Sequence, residues 1–203
     1  MESVEVARAV EAVRAGKPVL LPADGVVGLC AAVGEEAVRS LYELKGRGDA
    51  QPTAVIAASA GALFELVPEL DERSRAIVAA LLPGPFTLVL PNPARRLPWL
   101  NGADPDRIGV RVAVLPASTQ AVLDAVGAVA ATSANDPGEP AAASLDDVPS
   151  RIRAGCGAEV DGGRLSGLAS TVIDFARAEP SVLREGAGSA CDALARVERA
   201  LSG

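Results

Sequence analysis

The chain contains no histidine, which removes Ser-His-Asp and Cys-His catalysis, His-ligated zinc and imidazole acid–base chemistry together. Lysine is nearly as scarce: of 19 basic residues only Lys17 and Lys45 are lysine. Aromatics make up 2% of the 203 residues, and Tyr42, Phe64, Phe86, Trp99 and Phe175 are the complete set. Stacking on aromatic platforms is therefore not its main way of holding bases. Cys30, Cys156 and Cys191 form no C-x-x-C pair. An odd number so far apart points away from a disulfide framework or structural zinc and towards a reducing cytoplasm. No apolar run approaches the length of a membrane span, and the charged N-terminal stretch MESVEVARAVEAVRAGK has no signal-like core.

What is present suffices for one packed domain. The hydrophobic fraction is 49%, and with so few aromatics the core must consist of Ala, Val and Leu. The formal net charge of −7 disfavours non-specific coating of nucleic acid and leaves room only for a local basic cleft.

Pattern and punctuation predict alternating elements. A helix over 3–15, with Val4, Ala7, Val10 and Val13 on one face, stops at Gly16. A strand over 18–21 ends in the turn Pro22-Ala23-Asp24-Gly25, followed by a loop that includes Gly28. A helix over 35–44 and a buried strand over 53–58 come next. Asp71 caps a helix through Leu82, and the strand Phe86–Leu90 follows Pro83-Gly84-Pro85. Residues 92–107 read as a loop. Strand 108–112, helix 117–126 and strand 128–131 continue the alternation, and Ser144 with Asp147 suits another helix start. Strands near 157–160, 170–175 and 181–184 precede a final helix over 189–201. The expectation is a single α/β domain over 1–203 with a largely buried sheet and no linker-like break.

No G-x-x-x-x-G-K-[ST] motif occurs, so a phosphate site must be built otherwise. Lys45-Gly46-Arg47, directly after the 35–44 helix, offers two cations around a glycine, although taken alone it reads first as a helix C-terminus favoured by cations and closed by glycine. Thr132-Ser133-Ala134-Asn135 follows an apolar strand, at the edge where open α/β sheets bind ligands, or forms a polar turn before Pro137-Gly138. Arg107 and Arg111 bracket one strand on the same face. Burying Arg111 demands an anion, either a ligand or a structural carboxylate.

These segments, in order and spacing, resemble the YrdC-like family of threonylcarbamoyl-AMP synthases. The likeness is carried by GKPVLLPADGVVGLC (16–30), LYELKGRGDAQPTAV (41–55), LPGPFTLVL (82–90), IGVRVAVLPA with VAATSANDPGEP (108–140), GLASTVID (within 167–175) and VLREGA (182–187). It spans core motifs over 16–187 and implies a twisted mixed sheet flanked by helices around a concave cleft, without the further C-terminal domain of longer members. The implied reaction condenses L-threonine with bicarbonate or carbon dioxide and ATP. It releases pyrophosphate and gives threonylcarbamoyl-AMP, which tRNA-modifying partner proteins consume. Magnesium would accompany ATP. By this resemblance Lys45 and Arg47 are the catalytic phosphate contacts, and Gln51, Arg107, Asn135 and Arg184 lie on the nucleotide side. Gly25, Arg111 and Ser133 face the amino acid, with Arg111 the partner of its carboxylate. Thr132, Ser170 and Thr171 are weaker candidates, and Gly28 keeps its loop near the substrate.

The departures fall mainly on the amino-acid side. Where the family reads P-T-D-T-V-Y-G-L, this chain has Pro22-Ala23-Asp24-Gly25-Val26-Val27-Gly28-Leu29. Ile56 occupies a position often polar. Gln51 stands where lysine or asparagine is common, Pro137 replaces a serine, and Glu185 replaces the proline of R-P-G. The expected consequence is a smaller, more apolar amino-acid pocket with relaxed selectivity. Two alternatives stay open: a different carbamoyl-adenylate as product, and a non-catalytic protein binding a nucleotide or a local tRNA or double-stranded RNA segment.

Overall fold

The computed structural model describes residues 2–46, 48 and 51–202. Its helices are α1 (Glu2–Arg14), α2 (Glu35–Lys45), α3 (Ala60–Leu66), α4 (Glu72–Leu81), α5 (Ala117–Val126), α6 (Ser150–Gly155) and α7 (Ala190–Ser202). Its strands are β1 (Val19–Ala23), β2 (Val26–Ala32), β3 (Ala54–Ala57), β4 (Phe86–Pro91), β5 (Arg107–Arg111), β6 (Ala128–Ser133), β7 (Ala158–Glu159), β8 (Thr171–Asp174) and β9 (Ser181–Arg184). Among the described residues these strands form one sheet in the order β7-β1-β2-β6-β3-β5-β4-β8-β9. The sheet is mixed: β3 runs parallel to β5, and β4 to β8, while β2–β6, β3–β6 and β4–β5 are antiparallel. The expected α/β class and mixed sheet are therefore observed.

Local chemistry explains the helix ends. Asp71 Oδ1 accepts the Ser74 amide at 2.8 Å and caps α4. At the other end of α2, Gly46 adopts φ 66°, ψ 37°, and its N–H returns to the carbonyls of Tyr42 and Glu43. That left-handed cap suits a residue without Cβ, so Lys45-Gly46 does end a helix.

Some expectations need correction. The segment after Asp24-Gly25 is no loop: Val26–Ala32 forms β2, paired with both β1 and β6, and Gly28 is a strand residue. An all-apolar run without alternation hid it, because a strand buried on both faces has no period. Helix α3, capped by Ser59 through the Ala62 amide, adds an element that the sequence pattern does not predict. In α1 the buried face comprises Ala9, Val10, Ala12 and Val13, whereas Val4 is exposed. Ser144 Oγ donates to Asp147 Oδ2 at 2.9 Å, but this closes only a three-residue turn, and α6 starts at Ser150.

Among the described residues the core lies in three clusters that leave part of one sheet face, over β5 and its neighbours, uncovered. Ile108 and Val110 of β5 pack with Leu88 and Leu90 of β4 and with residues of α4 and α7. Val27 and Leu29 of β2 pack with α2 and α6, and β1 packs with α1 and α5. Period-2 alternation then turns Arg107, Gly109 and Arg111 away from the first cluster.

Candidate active site

The uncovered part of this face holds a cavity of about 440 Å³ whose lining runs from the end of β1 to β9. Its floor is made of small residues: Gly28, Ala54, Gly109 and Ala131. A Cβ at residue 109 would stand 3.4 Å from the Ala54 Cβ, so a larger side chain there would project into the hollow. Longer side chains rise around this floor, chief among them Arg107, Arg111 and Arg184. A cavity of this size, mostly apolar with a few convergent charged groups, suits a small-molecule ligand.

Arg111 is the most constrained of the three. Its side chain is 11% exposed, and Nη2 donates to Asp24 Oδ2 at 2.6 Å. The carboxylate comes from the β1–β2 hairpin turn, where Asp24 itself has φ 46°. Nε, on the same edge of the guanidinium, is buried with no partner among the described residues. Burial pushes the Asp24 carboxyl above its usual range and the Arg111 guanidinium below its own, while their mutual attraction opposes both shifts. An arginine that stays charged here retains an unmet demand for an acceptor.

Arg107 is already committed. Nε meets Asp104 Oδ2 at 2.6 Å and Nη1 meets the buried Asp174 at 2.7 Å. Arg184 uses Nε and Nη2 on the Ser170 carbonyl, at 3.2 and 2.8 Å, and burial lowers the affinity of its guanidinium for the proton. Thr87 and Ser170 share a hydroxyl hydrogen bond of 2.8 Å within the wall. Cys30 offers no thiolate nucleophile, since burial raises its thiol to about 12.

The structure thus brings together four of the anticipated residues: Arg107, Arg111, Ser133 and Arg184, with Gly28, Thr132 and Ser170 beside them. It separates others from the cavity wall. Lys45 is buried, and its Nζ donates to the carbonyls of Ser133, at 2.6 Å, and Asn135, and to Asn135 Oδ1 at 3.0 Å. In this arrangement the ammonium holds the end of β6 in shape. Asn135 directs its amide towards the carbonyls of Asp136 and Glu139. Gln51 is exposed and does not line the cavity. Gly25 also stands off it: with φ +89° and the Leu168 carbonyl 2.3 Å from where a Cβ would be, it packs against the 166–168 segment. Arg47 lies outside the described residues. Thr171 turns inward and accepts the Gly186 amide at 2.9 Å.

Three contributors were not legible as site residues: Asp24, Thr87 and Asn101. Asp24 was visible only as a turn residue, Thr87 only as a strand residue, and Asn101 sits in a segment that reads as a loop. Alternation with Val89 places Thr87 on the cavity face. No local signal marks Asn101.

The Sua5/YciO/YrdC family model, described as telomere recombination, matches residues 11–186. The threonylcarbamoyl-AMP synthase of Chromohalobacter salexigens is 35% identical over 177 residues, covering 86% of this chain and 94% of its own length. That of Pyrococcus abyssi is 33% identical over 176 residues, 86% of this chain but 52% of its own, so the chain spans about half of that relative. The crystal structure of P. abyssi Sua5 complexed with L-threonine superposes with a TM-score of 0.80 at 32% identity, covering 92% of this chain and 55% of that one. The fold is also that of E. coli YciO, with a TM-score of 0.81 at 24% identity over 93% of this chain and 92% of that one.

Proposed function

We propose that the chain, which belongs to the Sua5/YciO/YrdC family, makes threonylcarbamoyl-AMP in the hollow over β5. The observation that carries this reading is Arg111: a buried, monodentately paired guanidinium whose Nε still lacks an acceptor, in a family with an L-threonine-bound member. A substrate carboxylate would give this guanidinium a second anionic partner at the part of it that stays exposed.

The chemistry asks little covalent work of the protein. The threonine amine adds to carbon dioxide or, with loss of water, to bicarbonate, and gives up a proton to become a carbamate. A carbamate oxygen then bonds to the α-phosphorus of ATP while the bond to the β-phosphate oxygen breaks and pyrophosphate departs. Both nucleophiles belong to substrates, which suits a chain without histidine and with an unreactive Cys30. What the protein supplies is position: Arg111 and Ser133 for the amino acid, and Arg184 with Ser170 for the nucleotide. Magnesium would enter with ATP and neutralise phosphate charge; among the described residues no cluster of three acidic or thiol side chains could hold a metal ion of its own. The product would pass to tRNA-modifying proteins.

The test is mass detection of the adenylate after incubation with ATP, magnesium, bicarbonate and threonine. Pyrophosphate release coupled to threonylcarbamoyl-AMP is expected. Tight ATP binding with no adenylate from any amino acid would refute the reading.

A further inference from the structure

We infer that Asn92 is a positioning residue for nucleotide binding: its side chain sets the shape of the connection between β4 and β5, whose far part is a wall of the cavity. This rests on the synthase reading above. Asn92 follows Pro91, the last residue of β4, which pairs with Arg107 at the start of β5. It is buried and does not line the cavity. Its amide group is spent inside the connection. Nδ2 donates to the carbonyls of Arg96 at 2.9 Å and Pro105 at 3.0 Å, and Oδ1 accepts the Arg96 amide at 2.9 Å. Carbonyls only accept and an N–H only donates, so the three partners fix which way the amide points. The main chain adds two ties: the Asn92 N–H donates to the Asp106 carbonyl at 2.7 Å, and the Arg95 N–H to the Asn92 carbonyl at 2.9 Å. One side chain thus pins a turn at the start of the connection to its end.

The turn is held in a shape that its residues disfavour. Arg95 has φ 50° and Leu97 φ 47°, in the left-handed region that costs free energy for any residue with a Cβ. Such backbone persists only where the bonds around it over-determine it, and here those bonds come largely from Asn92. What the turn positions is the wall. The Arg96 carbonyl that accepts Asn92 also accepts Nδ2 of Asn101 at 2.9 Å, and Asn101, Ala103, Asp104 and Arg107 line the cavity. Asp104 Oδ2 in turn meets Arg107 Nε at 2.6 Å. Arg107 and Arg111 stand at opposite ends of β5, about 13 Å apart along the strand. With the amino-acid carboxylate at Arg111, this wall lies beyond the amino acid and is left to the nucleotide. Removing the Asn92 amide takes a donor from the Arg96 and Pro105 carbonyls, and the wall loses the tie that fixes it to the end of β4.

The experiment measures direct ATP binding, and the KM values for ATP and threonine, in the intact protein and three variants. Asn92→Ala is expected to weaken ATP binding and raise the KM for ATP about tenfold, while the KM for threonine moves less than about twofold. A bond that served stability alone would lower the folded fraction, and with it the apparent kcat, and leave both KM values in place. Residue 95 gives a test that keeps Asn92. The Arg95 side chain is 65% exposed and does not line the cavity. Arg95→Gly retains access to the left-handed backbone and should bind ATP as the wild type does. Arg95→Pro fixes φ at about −65° and cannot form the turn, so it should reproduce the ATP defect of Asn92→Ala. A misfolded Asn92→Ala therefore does not remove the test. Wild-type ATP affinity in Asn92→Ala or Arg95→Pro, equal rises in the two KM values, or a defect already present in Arg95→Gly overturns the assignment. ATP affinities in the expected order with no adenylate from any amino acid would refute the synthase reading and leave the role of Asn92 standing; adenylate formation with ATP affinity unmoved by the variants does the reverse.

Discussion

Asp24 and Arg111 join a hairpin turn to a central strand: Oδ2 of the first lies 2.6 Å from Nη2 of the second, and both side chains are less than one-fifth exposed. The pair fixes one corner of the guanidinium and leaves its Nε facing unmet demand. On the proposed function, Asp24 is a positioning residue for the group that would receive the substrate carboxylate. Asp24→Ala is expected to cost roughly 3 kcal/mol of stability, because it leaves a buried charge unpaired. It should also raise the KM for threonine more than tenfold with a smaller effect on kcat. Asp24→Asn retains an acceptor and should recover part of that KM. Equal losses in KM for both variants, or a loss in kcat alone, would contradict the positioning role.

Gly109 keeps the floor open. A Cβ at this position comes within 3.4 Å of the Ala54 Cβ, and a valine would place two further carbons in the hollow. Valine is otherwise a favourable strand residue. Gly109→Val should therefore melt within a few degrees of the wild type yet bind ATP at least tenfold more weakly. Unchanged nucleotide affinity in a folded variant would place the ligand elsewhere.

Lys45 separates two roles that the sequence alone leaves mixed. Its Nζ serves the Ser133 and Asn135 carbonyls and Asn135 Oδ1. Lys45→Ala strands these buried acceptors, at a cost of roughly 3 kcal/mol, or about 9 °C in melting temperature. Adenylate formation should fall along with stability as the β6 end, including Ser133, loses its support. A variant that melts like the wild type but has lost ATP binding would show instead that this lysine acts by reaching the phosphates.

Helix α4 supplies a pH-dependent control outside the site. The hydrogen bonds from Ser74 hold the Asp71 carboxyl below its usual value of 3.8. A depressed pKa means that the cap contributes fully above 3.8 and is lost as pH falls through the lower folded-state value. Asp71→Ala should cost about 1 kcal/mol at pH 7, and the difference from the wild type should shrink towards zero near pH 2. A difference independent of pH would exclude the carboxylate as the capping group.

Amino-acid choice tests the departures of residues 22–29. Ala23, Val26 and Ile56 line the cavity without a hydroxyl among them, whereas Ser133 and Thr132 remain. Apolar walls discriminate weakly against a lost hydroxyl. Threonine should therefore be preferred over valine by less than about tenfold in adenylate yield; a preference above a hundredfold would mean that the remaining hydroxyls suffice.

By itself the sequence determined the α/β alternation, the capped ends of α2 and α4, and the odd-numbered face that Arg107 and Arg111 share, because caps and strand periodicity depend on residues close in the chain. The ordered motifs around them carried the family and the candidate residues. Tertiary structure alone decided which candidates meet. Lys45 turns to the carbonyls at the end of β6, while Asp24 crosses to Arg111, 87 positions away. Asn101 reaches the cavity wall only because the packed 92–107 segment carries it there, its amide nitrogen spent on the Arg96 carbonyl. Burial and pairing are properties of the packed sheet, and a side chain's chemistry is set by the partners left to it once that packing is complete.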